Sequence, residues 1–127
     1  MNEQEISRVV TEAAMLIHRA AGNRGMTARD YRAALAQELE SRGLQTERKM
    51  IAPGNYGNIK VTRPEALDMI VGGKLLVEIK AESRTDPRWE SLALGHLRMA
   101  GLKYAMVINF SEKTIRDGIR RVVDTGN

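Results

Sequence analysis

Three charged residues have types and spacing that suit chemistry on a phosphate ester. Asp68 opens one apolar run, and Glu78 and Lys80 close a second run that follows a glycine pair. Two carboxylates that converge can hold a hard cation such as Mg²⁺, and the carbonyl of Ile79 could add a third oxygen ligand. A lysine on the same face could orient or deprotonate a water, or neutralise charge on a phosphate.

This chemistry depends on strand register, because Asp68 must face the same way as Glu78. Opposed residues of an antiparallel pair share a face, and a one-residue slip turns a whole strand over. A strict two-residue Gly-Gly turn would put Asp68 opposite a core residue. We therefore predict a connection of odd length, or a bulge, at residues 71–74. The apolar odd positions of residues 67–79 then form the core face, and the three charged residues share the other face.

Taken alone, this pattern favours a solvated strand edge over a catalytic site, since edge strands often carry Glu and Lys. Arg84 and Arg88 follow the second run and could grip phosphates that flank a cut site, although solvated arginines fit equally well. His96 falls on the apolar stripe of a predicted helix, where a half-buried, hydrogen-bonded histidine is favoured over a phosphate contact. These three residues are the candidates for nucleic-acid binding.

Two helices must precede the charged strands. Apolar residues recur at steps of three and four over Glu3–Ala21, which predicts the first helix. Residues 27–42 predict the second helix. Thr27 is its cap, Asp30 completes an acidic capping box, and Gly43 is the expected left-handed stop.

The rest of the chain predicts a mixed sheet with one inserted helix. That helix begins at Asp86-Pro87, with the acid at the cap and the proline in the first turn, and it ends at Gly101. Because it lies between two strands, it predicts a parallel crossover. Besides the central hairpin, strands are expected over residues 44–51, 56–62 (a short strand or an irregular arm), 104–110 and 119–123, with turns at 53–55 and 117–118.

Length and composition narrow the class of protein. A chain of 127 residues predicts a single domain, residues 1–127, that is large enough for a hydrophobic core. The net charge of +4 and the isoelectric point near 9.7 fit a polyanionic partner. The absence of cysteine suits a reducing cytoplasm, and no apolar run approaches the ~20 residues of a membrane helix.

Longer stretches resemble a known family. The chain resembles the PD-(D/E)XK nuclease superfamily and, more specifically, the small bacterial proteins called the GxxExxY family. The resemblance runs from Ile6 to Val123. Its recognisable pieces are IHRAAG at 17–22, YRAALAQEL at 31–39, RGL at 42–44, DMIV at 68–71, LLVEIKA at 75–81 and HLRMAGLKYAMVINF at 96–110, of which the last two are the most specific.

This resemblance implies a fold and a site. It implies an α/β, restriction-endonuclease-like core with a central mixed sheet flanked by helices. It also implies that Asp68 and Glu78 bind Mg²⁺ or Mn²⁺, and that Lys80 is the catalytic lysine. The implied partner is nucleic acid, with DNA favoured over RNA, and a homodimer is plausible because so small a domain covers only a short stretch of duplex.

The chain departs from the family pattern at three positions, and two of them are apolar here. Gly25 and Tyr31 match the motif, but Ala28 stands where the family has its Glu. The inserted helix usually carries a Gln four residues before a Tyr, and here these positions are Leu92 and His96. An extra carboxylate would then have to come from elsewhere, with Glu12 and Glu38 as the candidates.

Two hypotheses follow from these observations. The first is a metal-dependent nuclease in which Asp68 and Glu78 bind the ion and Lys80 positions the attacking water. The second, motivated by Ala28 and Leu92, is a nuclease fold without catalysis that binds nucleic acid or a protein partner.

Overall fold

A computed structural model describes residues 1–126; Asn127, the last residue of the predicted domain, lies outside the described residues. Helices flank a five-stranded mixed sheet, which confirms the predicted fold class. The helices are α1 (Glu3–Ala21), α2 (Ala28–Ser41) and α3 (Arg88–Ala100). The strands are β1 (Thr46–Ile51), β2 (Gly54–Tyr56), β3 (Ile59–Val61), β4 (Glu65–Val71), β5 (Leu75–Lys80), β6 (Tyr104–Asn109) and β7 (Ile119–Val123). Within residues 1–126, no helix is both long enough and apolar enough to cross a membrane.

The helix ends follow the local sequence signals closely. At the start of α2, Oγ1 of Thr27 accepts a hydrogen bond from the amide of Asp30, and the Asp30 carboxylate accepts one from the amide of Thr27. The predicted capping box is therefore confirmed. Gly43, with φ of 86°, and Gly101, with φ of 70°, follow α2 and α3 in the conformation that favours glycine. The start of α3 differs slightly, since Pro87 precedes the helix and Asp86 accepts a hydrogen bond from the Arg88 amide.

The sheet has the strand order β1-β4-β5-β6-β7. Strands β5 and β6 are parallel, and α3 connects them, so the predicted parallel crossover is confirmed. Strands β2 and β3 form a separate hairpin. The turn predicted at residues 53–55 is wrong, because β2 begins at Gly54 and the chain reverses after it, at Gly57, which has φ of 64°.

The sheet separates two apolar cores. On one side, α1 and α2 pack on alternate residues of β5, and the buried set there includes Leu75, Val77 and Ile79. On the other side, α3 packs on the intervening residues, of which Leu76 is one. Successive side chains of a strand point to opposite faces, so alternate residues of β5 contribute to the two cores in turn.

The β4–β5 hairpin has a connection of odd length, as predicted. Val71 pairs with Leu75, so the connection comprises the three residues from Gly72 to Lys74. A β-bulge is also present, further along β4. Glu47 pairs with Ile70 and Lys49 with Leu67, which leaves Asp68 and Met69 together opposite a single residue of β1.

The bulge changes the face on which the start of β4 lies. Met69 and Val71 belong to the core under α1 and α2, whereas Leu67 belongs with Ile70 to the core under α3. The prediction that all apolar odd positions from 67 to 79 share one face is therefore wrong for Leu67. The physical reason is the extra residue in the bulge, which shifts the alternation of β4 by one position.

Strand β1 forms one edge of the sheet. Four of its six residues are exposed, and three of them, Glu47, Arg48 and Lys49, are consecutive and charged.

Candidate active site

Asp68 lies in the bulge of β4, and its carboxylate bonds to the next strand. The Oδ2 atom accepts a hydrogen bond of 2.9 Å from the backbone amide of Ile79. The regular β4–β5 pairing ends at Met69 and Val77, so the carboxylate takes an amide that a continued ladder would have used. The Oδ1 atom lies 3.5 Å from Nη1 of Arg32, which reaches the site from α2.

Glu78 is a buried carboxylate, with only 6% of the residue exposed. Its Oε1 atom lies 2.9 Å from Nδ1 of His96 on α3. The other ring nitrogen of His96, Nε2, lies 2.9 Å from Oε1 of Glu65 at the start of β4. The imidazole thus bridges two carboxylates that come from adjacent strands.

The two carboxylate partners influence which ring nitrogens of His96 carry protons. An ionised carboxylate only accepts hydrogen bonds, so two such partners require a proton on each ring nitrogen. The hydrogen bond with Glu78 raises the pKa of His96 above its ordinary value, against the opposing effect of burial, and Glu65 adds to the increase. The geometry therefore favours an imidazole with a proton on each ring nitrogen.

Lys80 points towards the third helix as well. Its Nζ atom lies 5.6 Å from the ring centroid of Trp89, within the range of a cation–π interaction. Trp89 is half-buried and packs against the core under α3. Lys80 is itself only partly buried.

The three predicted site residues lie on adjacent strands, but the prediction that they share one face is wrong for Asp68. Asp68 bonds to the amide of the residue that separates Glu78 from Lys80. Glu78 and Lys80 both contact α3, as their spacing predicted. The Asp68 carboxylate instead reaches Arg32 from the layer of α1 and α2, because the bulge breaks the alternation at that residue.

The arginines predicted to bind nucleic acid lie in and after the loop that follows β5. Arg84 is exposed. Arg88 is also exposed, but its guanidinium forms an ion pair with Asp86, with Nη2 and Oδ2 2.6 Å apart. The fully buried Asn109 holds the loop, since its side chain hydrogen bonds to both backbone groups of Glu82 and to the hydroxyl of Thr85.

Ala28 and Leu92, two of the positions that depart from the family pattern, have no role in these contacts. Ala28 packs against the core under α1 and α2, and Leu92 is 56% exposed on α3. Glu12 and Glu38, the candidates for an extra carboxylate, both pair with Arg42. The additional carboxylate, linked to Glu78 through His96, is Glu65, which the sequence had not indicated.

The donors present match the chemistry of a hard divalent cation. Two carboxylates and the backbone carbonyl of Ile79 are oxygen ligands of the kind that Mg²⁺ and Mn²⁺ prefer. Within residues 1–126, no group of three or more histidine or acidic side chains is arranged to hold a metal ion. The fit therefore depends on two carboxylates, each of which already has a cationic partner, Arg32 at Asp68 and His96 at Glu78.

Sequence reasoning missed Glu65 and Arg32 for different reasons. Glu65 faces α3 only because the bulge shifts the alternation, and no residue type in β4 marks where a bulge falls. Arg32 lies one residue after Tyr31, which is fully buried, on a helix whose rotation against the sheet is a tertiary property. Glu65 lies two residues before Leu67, so once the bulge has turned Leu67 towards α3, the alternation of the strand places Glu65 on the same face.

Comparison with known proteins identifies the family. The model of the PD-(D/E)XK nuclease superfamily matches residues 4–122. No curated protein and no solved structure matches the chain.

Proposed function

Because this chain belongs to the PD-(D/E)XK nuclease superfamily, we propose that it is a metal-dependent nuclease that hydrolyses phosphodiester bonds in nucleic acid. Asp68 and Glu78 are the proposed ligands, with the carbonyl of Ile79, and Lys80 is the proposed catalytic lysine. The observation that carries the proposal is the hydrogen bond from the Ile79 amide to Asp68, which joins an acid of β4 to the residue between Glu78 and Lys80 on β5.

Mg²⁺ or Mn²⁺, when bound, would supply positive charge to the scissile phosphate and lower the pKa of a water. Asp68 and Glu78 would hold it through carboxylate oxygens. Lys80 would orient the attacking water and offset the charge that develops on the phosphate. The Lys80 ammonium lies over the ring of Trp89, and Lys80 is only partly buried, which supports this role.

Further features support nucleic acid as the substrate. The net charge of +4 favours a polyanion, and Arg84, Arg88 and His96 are the proposed contacts to it. Of these, Arg84 is the most available, since Arg88 pairs with Asp86 and His96 pairs with two acids. We propose DNA over RNA as the substrate, a single cytoplasmic domain, a homodimer on longer duplexes and membership of the GxxExxY family.

The test is nicking of a supercoiled plasmid in Mg²⁺ or Mn²⁺. We expect cleavage by the wild type and none by Lys80→Ala or Asp68→Ala. Lys74→Ala is the matched control, because Lys74 lies at the other end of the same hairpin, is exposed, and donates a hydrogen bond from its ammonium group to the Met1 carbonyl. Equal rates in the wild type and both site variants would show that any cleavage comes from a contaminant.

A second candidate function is a nuclease fold that binds nucleic acid or a protein partner without cleaving. It is favoured by the cations already paired with both carboxylates, Arg32 with Asp68 and His96 with Glu78. Calorimetry with Mn²⁺ separates the two functions. Binding that disappears in Glu78→Ala supports the enzyme, whereas retained affinity for DNA without Mn²⁺ binding supports the module.

A further inference from the structure

Glu65 and His96 form a chain of contacts that ends at Glu78, a proposed metal ligand. Nδ1 of His96 is 2.9 Å from Glu78, and Nε2 is 2.9 Å from Glu65. A carboxylate ligand needs only one oxygen for an ion, and ligating side chains are held in place by partners behind them. The bridge uses Oε1 of Glu78 in this way, which leaves Oε2 for a ligand.

We propose that Glu65 and His96 are positioning residues that fix the carboxylate of Glu78. This inference rests on the proposed function, because Glu78 is a metal ligand only under that proposal. Glu65 fixes the ring of His96, and the ring fixes Glu78. Neither residue contacts the reacting atoms in this arrangement.

The three side chains become more exposed from Glu78 through His96 to Glu65, so the contacts run from the interior to the surface. Glu78 has 8% of its side chain exposed and His96 has 18%, so both are held within the protein. Glu65 has 43% exposed, which makes it the outer end of the chain of contacts. A change at Glu65 thus alters the support of Glu78 without opening a cavity in the core.

His96 stands where the family resemblance places a tyrosine, and the bridge gives this substitution a physical meaning. A tyrosine has one polar atom, whereas imidazole has two nitrogens on opposite sides of its ring and can join two acids. The chain therefore combines a histidine on α3 with a glutamate at the start of β4. This pairing depends on the bulge, which turns Glu65 towards α3.

The test of this positioning role is Mn²⁺ affinity, measured by calorimetry in the wild type, Glu65→Ala, Glu65→Gln and His96→Gln. We expect Glu65→Ala to weaken binding roughly tenfold, as for loss of a supporting partner. Glu65→Gln should recover most of the affinity, since its amide oxygen still accepts from Nε2. The control is Glu90→Ala, an exposed glutamate of α3 with 47% of its side chain accessible, which should bind like the wild type.

Two further readouts distinguish positioning from a general structural role. The first readout is proton NMR of the histidine ring N–H groups. The chain has two histidines, so the signals of His96 are identified by their loss in His96→Gln. Glu65→Ala should lose the slowly exchanging Nε2 proton signal, and in nicking assays it should lower kcat with little change in KM. Melting curves establish that each variant is folded.

The outcomes are distinct. A wild type that binds no Mn²⁺ overturns the proposed function, and the positioning role falls with it. A wild type that binds Mn²⁺, together with unchanged affinity and unchanged His96 signals in Glu65→Ala, overturns the positioning role alone. Weakened binding in Glu65→Ala that Glu65→Gln restores supports it.

Discussion

The Oδ2 atom of Asp68 lies 2.9 Å from the backbone nitrogen of Ile79 and accepts its hydrogen bond. One carboxylate oxygen therefore completes the backbone hydrogen bonding of β5 at the point where the strand ladder stops. The other oxygen faces Arg32. Asp68 thus has two roles that substitutions can separate, one in the sheet and one in the charge of the site.

Asp68→Asn should preserve the first role and remove the second. Its amide oxygen still accepts from Ile79, so we expect a melting temperature close to that of the wild type and Mn²⁺ binding weakened by at least roughly tenfold. Asp68→Ala leaves the amide unpaired and should also lower the free energy of unfolding by about 1–3 kcal/mol. Urea denaturation and calorimetry measure the two effects. Equal stability of the two variants would contradict a structural role for the hydrogen bond.

Arg32→Gln should strengthen cation binding. The guanidinium lies 3.5 Å from Asp68, and both side chains are largely buried, so its charge opposes a second cation at this carboxylate. We expect Mn²⁺ affinity to rise roughly three- to tenfold. Arg29→Gln, on the same helix but exposed, is the control for net charge. Affinity that stays the same or falls would mean that Arg32 does not compete at the site.

Gly118→Ala and Gly95→Ala should change stability in opposite directions. A β-carbon at Gly118 would overlap the carbonyl oxygen of Asn109, a backbone atom that cannot easily move, so we expect a loss of about 1–3 kcal/mol. Gly95 lies within α3, where a β-carbon would be 3.8 Å from Ile59, an ordinary contact. There alanine should gain about 0.5–1 kcal/mol through helix propensity. Denaturant titrations of both variants test this contrast.

Acid should remove the contribution of Asp30 to stability. Hydrogen bonds from the backbone and side chain of Thr27 hold the pKa of Asp30 below its ordinary value. The unfolded chain therefore takes up this proton at a higher pH than the folded one. The stabilisation is present above the ordinary pKa, near 3.8, and is lost as the pH falls through the folded-state pKa.

The test compares the wild type with Asp30→Asn, in which residue 30 does not titrate. The difference between their free energies of unfolding should be constant from neutral pH down to about pH 5 and should shrink below about pH 4. A difference that increases on acidification would rule out this assignment.

Local signals predicted much of the fold. The α2 capping box, the glycines that end α2 and α3, and the odd connection between β4 and β5 all depend on a few adjacent residues. The crossover follows from the order of the elements, because two parallel neighbours need a connection as long as α3. For these features, the types of a few neighbouring residues are enough to determine the local backbone geometry.

The contacts that define the candidate site could not be predicted in the same way. Glu65 and Leu67 face α3 because β4 contains a bulge, and its position depends on pairing with β1, which is far away in the chain. The approach of Arg32 to Asp68 depends on how α2 packs on the sheet. The sequence pattern named Asp68, Glu78 and Lys80, but their partners come from packing between elements.

The charged residues of edge strand β1 affect whether two copies of the chain can pair through their sheets. A strand added alongside β1 by a second copy would bring Glu47, Arg48 and Lys49 up against an incoming backbone. Removing water from three adjacent charges is costly, so sheet-to-sheet polymerisation through this border is disfavoured. The charged residues of β1 thus disfavour strand pairing between molecules at this edge of the sheet.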